Sequence, residues 1–168
     1  MIRTILLSTI LLVLCNLVQS TWFGAIAILG VVPDLALIVL IWVSYQNGLV
    51  EGPTAGFLSG FAEDFLSASP LGFHALIKTA VASLAGFLNG AFYIDRFFLP
   101  IVLGMGATLV KAILTGILSL LFGPAIHAYN FLDRVLWIEV AYNGLISPLV
   151  FLILSPLKKL LVTESKRS

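Results

Sequence analysis

Three ionisable side chains, Asp64, Lys78 and Lys111, stand inside apolar runs, where an uncompensated charge costs several kcal/mol at a membrane centre. Side chains so placed can do a few things: pair with one another, relay a proton or ion, activate water, or meet a partner's charge. Asp64 and Lys78 favour pairing. They lie six residues before and eight residues after Pro70. At about 1.5 Å per residue this gives depths of roughly 9 and 12 Å in a helical hairpin. A buried Asp64–Lys78 ion pair is the expected arrangement, with a proton or ion relay as the alternative. Glu63 points about 100° away from Asp64 on a helix and faces another partner or the interface. Lys111 sits too deep to reach water easily. Its carboxylate belongs either to the same bundle or to another subunit.

Hydrolytic chemistry finds little support. Leu58-Ser59-Gly60 has Phe57 where a rhomboid-type serine site needs glycine. Ala62-Glu63-Asp64 is not the Gly-x-Gly-Asp of an intramembrane aspartyl protease. His74 and His127 lack a His-Glu-x-x-His setting, so a zinc site is not expected. No metal and no cofactor is expected.

The elements that position these residues are long apolar segments. Residues 4–33, 112–132 and 140–157 contain no Asp, Glu, Lys or Arg, and a bilayer asks roughly 20 apolar residues of a helix. Hydrophobic residues make up 60% of the chain and charged residues 10%; a soluble domain carries about 25% charged. The fold expected is therefore an all-α integral membrane protein, one domain of about six transmembrane helices. Their expected spans are 4–21, 33–46, 53–66, 73–92, 97–122 and 139–157, with Pro33 in the first turn of the second. Residues 125–138 mix aromatics with Asp133 and Arg134 and suit the interface. The second and third helices are short, so five spans is the alternative if one is re-entrant. The first apolar run is expected to stay as a signal anchor rather than be cleaved. Cys15 is the sole cysteine, so no internal disulfide is possible.

Six spans place both termini on one side, and the basic segment 158–168, with Lys158, Lys159, Lys166 and Arg167, makes that side cytoplasmic. A net charge of +1 argues against nucleic acid as a partner.

Small residues supply the packing signal. The third helix reads Gly52-x-x-x-Gly56-x-x-x-Gly60-x-x-x-Asp64, one face along which another backbone can approach. The fourth carries a similar stripe from His74 and Lys78 through Ala82 to Gly86 and Gly90. Packing of the two stripes on each other is expected; a docking face for another protein is the alternative.

Pro33-Asp34 before an apolar run, the glycine–Asp64 series, Leu71-Gly72-x-x-Ala75-Leu76, and Tyr142-Asn143-Gly144 with Pro148 occur in an order that resembles the bacterial rod shape-determining MreD family. The resemblance covers 33–90 well and 140–159 moderately. It implies a non-enzymatic inner-membrane component of the cell-elongation machinery, working with MreC, MreB filaments and the synthase pair of RodA and its transpeptidase. It also implies a fold similar to substrate-binding subunits of energy-coupling-factor vitamin transporters. Pro33, Asp34, Gly52, Gly56, Gly60, Asp64, Gly72, Lys78, Gly86, Lys111, Asn143, Gly144 and Pro148 then become candidate packing or partner-binding positions. The chain departs from the family at Glu63, usually apolar, and in an unusually apolar 24–32 loop.

The competing reading is a vitamin-binding subunit of such a transporter. Those subunits carry an Ala-x-x-x-Ala face on the first span, and residues 4–21 contain no alanine. A stand-alone channel or transporter would need repeated broken helices, and no internal repeat is visible.

Overall fold

The computed structural model describes residues 1–22, 27, 29–67, 69–90, 97–123, 126 and 129–162. Phe23, the Asp95-Arg96 turn, His127 and the basic Lys166 and Arg167 lie outside them, as do residues 24–26 and 28 of the 24–32 loop.

The described chain is all-α: α1 (Ile2–Trp22), α2 (Leu35–Asn47), α3 (Glu51–Leu66), α4 (Phe73–Phe87), α5 (Phe98–Phe122), α6 (Arg134–Leu154), a 3₁₀ turn (Ser155–Leu157) and a short α7 (Lys158–Leu161). Three stretches are long and apolar enough to cross a membrane, Ile2–Thr21, Phe98–Phe122 and Arg134–Leu161. α2 and α4 are shorter apolar helices. At about 1.5 Å per residue, the 13 residues of α2 reach roughly 20 Å, short of the roughly 30 Å hydrocarbon core. Protein surrounds it instead: Ala36 through Ser44 are all buried. α1 shows the pattern of a lipid-facing helix. Thr4, Ser8 and Leu12 are buried in the bundle, while Leu6, Ile10 and Leu14 face outward.

The helix boundaries have local causes. α2 begins two residues later than Pro33 suggested, because Asp34 is its N-cap and accepts from the Leu37 N–H at 2.9 Å. It ends at Gly48, whose φ of 84° favours glycine. α4 stops at Phe87, short of 92. α6 begins at Arg134, capped by Asp133, so the end of the supposed interfacial segment is helical. Pro148 sits inside α6 and supplies no N–H to the preceding turn. The first residues of the basic segment continue the helical run as α7, where Leu161 is buried and its carbonyl accepts from Asn47 Nδ2 at 2.9 Å.

The glycines of α3 face inward. A Cβ on Gly52 would collide with Ser44 of α2, and one on Gly56 would lie 3.0 Å from the Lys78 carbonyl oxygen of α4. At Gly60 it would come within 2.6 Å of the His74 carbonyl oxygen and 2.7 Å of the Ala75 backbone. The stripe is thus an internal seam against two helices, which removes it as a docking face. Gly86 differs from expectation: its close neighbour is Gly48 in the α2–α3 turn, with the carbonyl oxygen 2.5 Å from a built Cβ. Gly60→Leu is expected to lower folded yield and thermal stability in detergent, since overpacking costs about 1–3 kcal/mol. A variant melting like the native protein would show that the seam can open.

Candidate polar centre between the helices

The ends of α1, α3 and α5 and the starts of α2, α4 and α6 meet at one end of the bundle, and the charged residues gather there in two groups. In the first, Lys111 Nζ of α5 lies 2.7 Å from Asp34 Oδ2 and 2.9 Å from Glu139 Oε1 of α6. One ammonium therefore ties three helices. Asp34 also caps α2 and donates its own N–H to Asn143 Oδ1 at 2.8 Å, while Asn143 Nδ2 donates to Thr108 Oγ1 at 2.9 Å. The Pro33-Asp34 and Asn143-Gly144 motifs, 109 residues apart, meet at this bond. Gly144 lets α6 close on α5: a Cβ there would lie 2.5 Å from Met105. Tyr129, in the α5–α6 connection, lies beside this cluster, its ring centroid 6.0 Å from Lys111 Nζ. Burial pushes its hydroxyl up to about 12, Lys111 pulling against that and Glu139 adding to it, so the phenol stays a donor.

The second group joins α1, α3 and α4. Asp64 has a fully buried side chain. It accepts from the backbone N–H groups of Gly72 at 2.9 Å, His74 at 2.8 Å and Ala75 at 3.3 Å, and it contacts His74 Nδ1 at 2.9 Å. It therefore caps the α4 N-terminus from the preceding helix, where a negative charge also meets the positive end of the helix dipole. Gly72 holds φ at 92° to turn its N–H toward that carboxylate.

The expected Asp64–Lys78 pair does not form. Lys78 pairs with Glu63 and reaches Asn16 Oδ1 of α1 at 3.3 Å, while Asn16 Nδ2 donates to Glu63 Oε2 at 3.0 Å. The physical reason is competition: four donors at the α4 terminus already occupy Asp64, and Glu63 is one helical step round toward α1. His74 Nε2 lies 3.6 Å from Glu63 and links the two carboxylates.

Between the two groups lies a cavity of about 380 Å³, lined by Asn16, Gln19, Lys78, Lys111, Thr115 and Tyr129 among others. Among the described residues no group of three His, Cys, Asp or Glu is placed to hold a metal ion. Sequence reasoning missed Asn16, Gln19 and Glu139. The first two lie three residues apart on α1, a signal that could have marked an inward polar face.

The chain matches the family model for rod shape-determining protein MreD over residues 1–157. It belongs to the MreD family. The MreD match makes it a non-enzymatic membrane protein of rod-shape determination. Comparison with curated proteins and with solved structures returns no match, so the likeness to vitamin-transporter subunits has no support from them. The MreD match spans both polar groups and every candidate position singled out in the sequence.

Proposed function

We propose that the protein is an inner-membrane scaffold subunit of the rod complex, holding an MreC-like protein by helix–helix contact. Through it the protein supports the MreB filaments and the synthase pair of RodA and its transpeptidase. The MreD match over residues 1–157 carries this reading. The packing is consistent with it: the charged side chains of the polar centre are engaged within the bundle, while outward faces are apolar. On α3 these include Phe57, Phe61 and Phe65, exposed and in mutual ring contact. Such a surface suits lipid and apolar partner helices.

In the same reading all six main helices cross the membrane, α2 within a protein shell, and both termini face the cytoplasm. Lys158 and Lys159 after the last long helix support that sense. One C-terminally tagged protein tests both statements. The tag is expected to report a cytoplasmic position and to capture an MreC-like protein from solubilised membranes, without bound thiamine, riboflavin or biotin. A periplasmic tag would overturn the topology; a retained vitamin without MreC would favour a transporter subunit.

A further inference from the structure

The end of the bundle opposite the polar centre gathers the starts of α1, α3 and α5 and the ends of α2, α4 and α6. Among the described residues its charged side chains are Arg3, Lys158 and Lys159 against one acid, Glu51. Asp34, Glu63, Asp64, Asp133 and Glu139 all stand at the other end. Positive charge therefore prevails here. A second cavity, of about 210 Å³, lies at this end between α2, α5 and α6. Trp42 and Tyr45 of α2, Phe97 before α5 and Phe151 of α6 give it an aromatic wall, a composition typical of the membrane–water interface. The exposed Lys158 of α7 completes the lining.

This lining suits an anion with an apolar body. Lys158 carries three N–H donors, and among the described residues it pairs with no carboxylate. No Asp or Glu lines the cavity. α5 starts beside it, and the N-cap Phe97 gives no side-chain acceptor to the first N–H groups of that 25-residue helix. The positive end of the helix dipole thus adds to the lysine. Leu99, Pro100, Pro148 and Leu152 supply apolar surface, and Phe97 and Leu152 are exposed on the outside of the bundle. A soluble anion would leave that surface uncovered. A zwitterionic headgroup would bring an ammonium to a lining that holds Lys158 and no carboxylate. The volume is below the roughly 300–1,000 Å³ typical of sites that enclose a whole small molecule, so it suits part of a larger amphiphile.

We propose that this cavity binds an anionic phospholipid, its phosphate held by Lys158 beside the α5 N-terminus and an acyl chain lying on Phe97, Phe151 and Leu152. The site is separate from the helix contacts proposed for the rod complex. It also does not depend on which side of the membrane this end faces. One lysine beside an anionic headgroup corresponds to about fivefold in affinity.

Native mass spectrometry of the full chain in detergent, titrated with dioleoyl phosphatidylglycerol or dioleoyl phosphatidylcholine, reads the affinity of the first bound lipid. Phosphatidylglycerol is expected to bind at least about fivefold more tightly. Lys158→Gln should remove that preference and Lys158→Arg should keep it. Lys159→Gln, one residue on and outside the cavity, should keep most of it. Inorganic phosphate at the same concentration as the lipid should not displace it. The inference is overturned by equal binding of the two lipids or by displacement with phosphate, which would make this a free-anion site. Equal losses in Lys158→Gln and Lys159→Gln would also overturn it, because they would mean diffuse attraction to the basic segment.

Discussion

Lys111→Met is expected to remove most folded protein from the membrane. The lysine lies within hydrogen-bond distance of two carboxylates, Asp34 and Glu139, on different helices. Without it two acidic groups face each other across a buried site, and breaking a buried pair typically costs about 3–5 kcal/mol. Total stabilities run at about 5–15 kcal/mol, so the loss takes a large share. Glu139→Gln alone should be mild, because Lys111 keeps Asp34 and the three-residue cluster loses its surplus negative charge. Glu139→Gln should also recover part of the Lys111→Met loss, since it removes one of the stranded carboxylates. The readout is membrane level and thermal unfolding in detergent. A Lys111→Met protein that melts like the native one would show that the lysine does not hold α2, α5 and α6 together.

Asp64→Ala is expected to be the other severe substitution, for a reason unrelated to ion pairing. It strips the acceptor from three backbone N–H groups at the start of α4 and from His74. Removing a helix cap costs about 0.5–2 kcal/mol, and buried donors left unsatisfied cost about 1–3 kcal/mol. Asp64→Asn should lose less, because one side-chain oxygen remains to accept. The same geometry sets the pattern of coupling. Glu63→Gln and Lys78→Met should be non-additive by about 0.5–3 kcal/mol, as for residues in contact. Asp64→Ala and Lys78→Met should come close to additive. Strong coupling of Asp64 with Lys78, and none of Glu63 with Lys78, would mean that the acids exchange roles in the membrane.

Much of this architecture was legible in the chain, for identifiable reasons. The uncharged runs marked α1, α5 and α6, because crossing hydrocarbon demands length and apolarity in a contiguous stretch. The glycine spacing marked the α3 seam, because residues four apart share a face. Gly72, Asp34 and Asn143 were singled out only as parts of an ordered motif. Their roles appear in the folded chain: a positive-φ turn, a helix cap and a bridge between distant segments. Lys111 announced a need for compensation, but its partners are 77 and 28 residues away and no local pattern names them. Depth along a hairpin suggested Asp64 for Lys78. Depth alone ignores azimuth, and Glu63, one step round the helix, faces the lysine and α1 instead. Helix starts were misplaced where a cap residue decides them, as at Asp34 and Asp133.

The central claim, a structural role in maintaining the rod, is tested most directly by cell shape after depletion. Removing the protein from its rod-shaped host should turn rods into rounded cells. Re-expression of the native chain should restore rods, and Lys111→Met, expected to lose the fold, should not. Rods of normal width and length persisting through complete depletion would contradict the account.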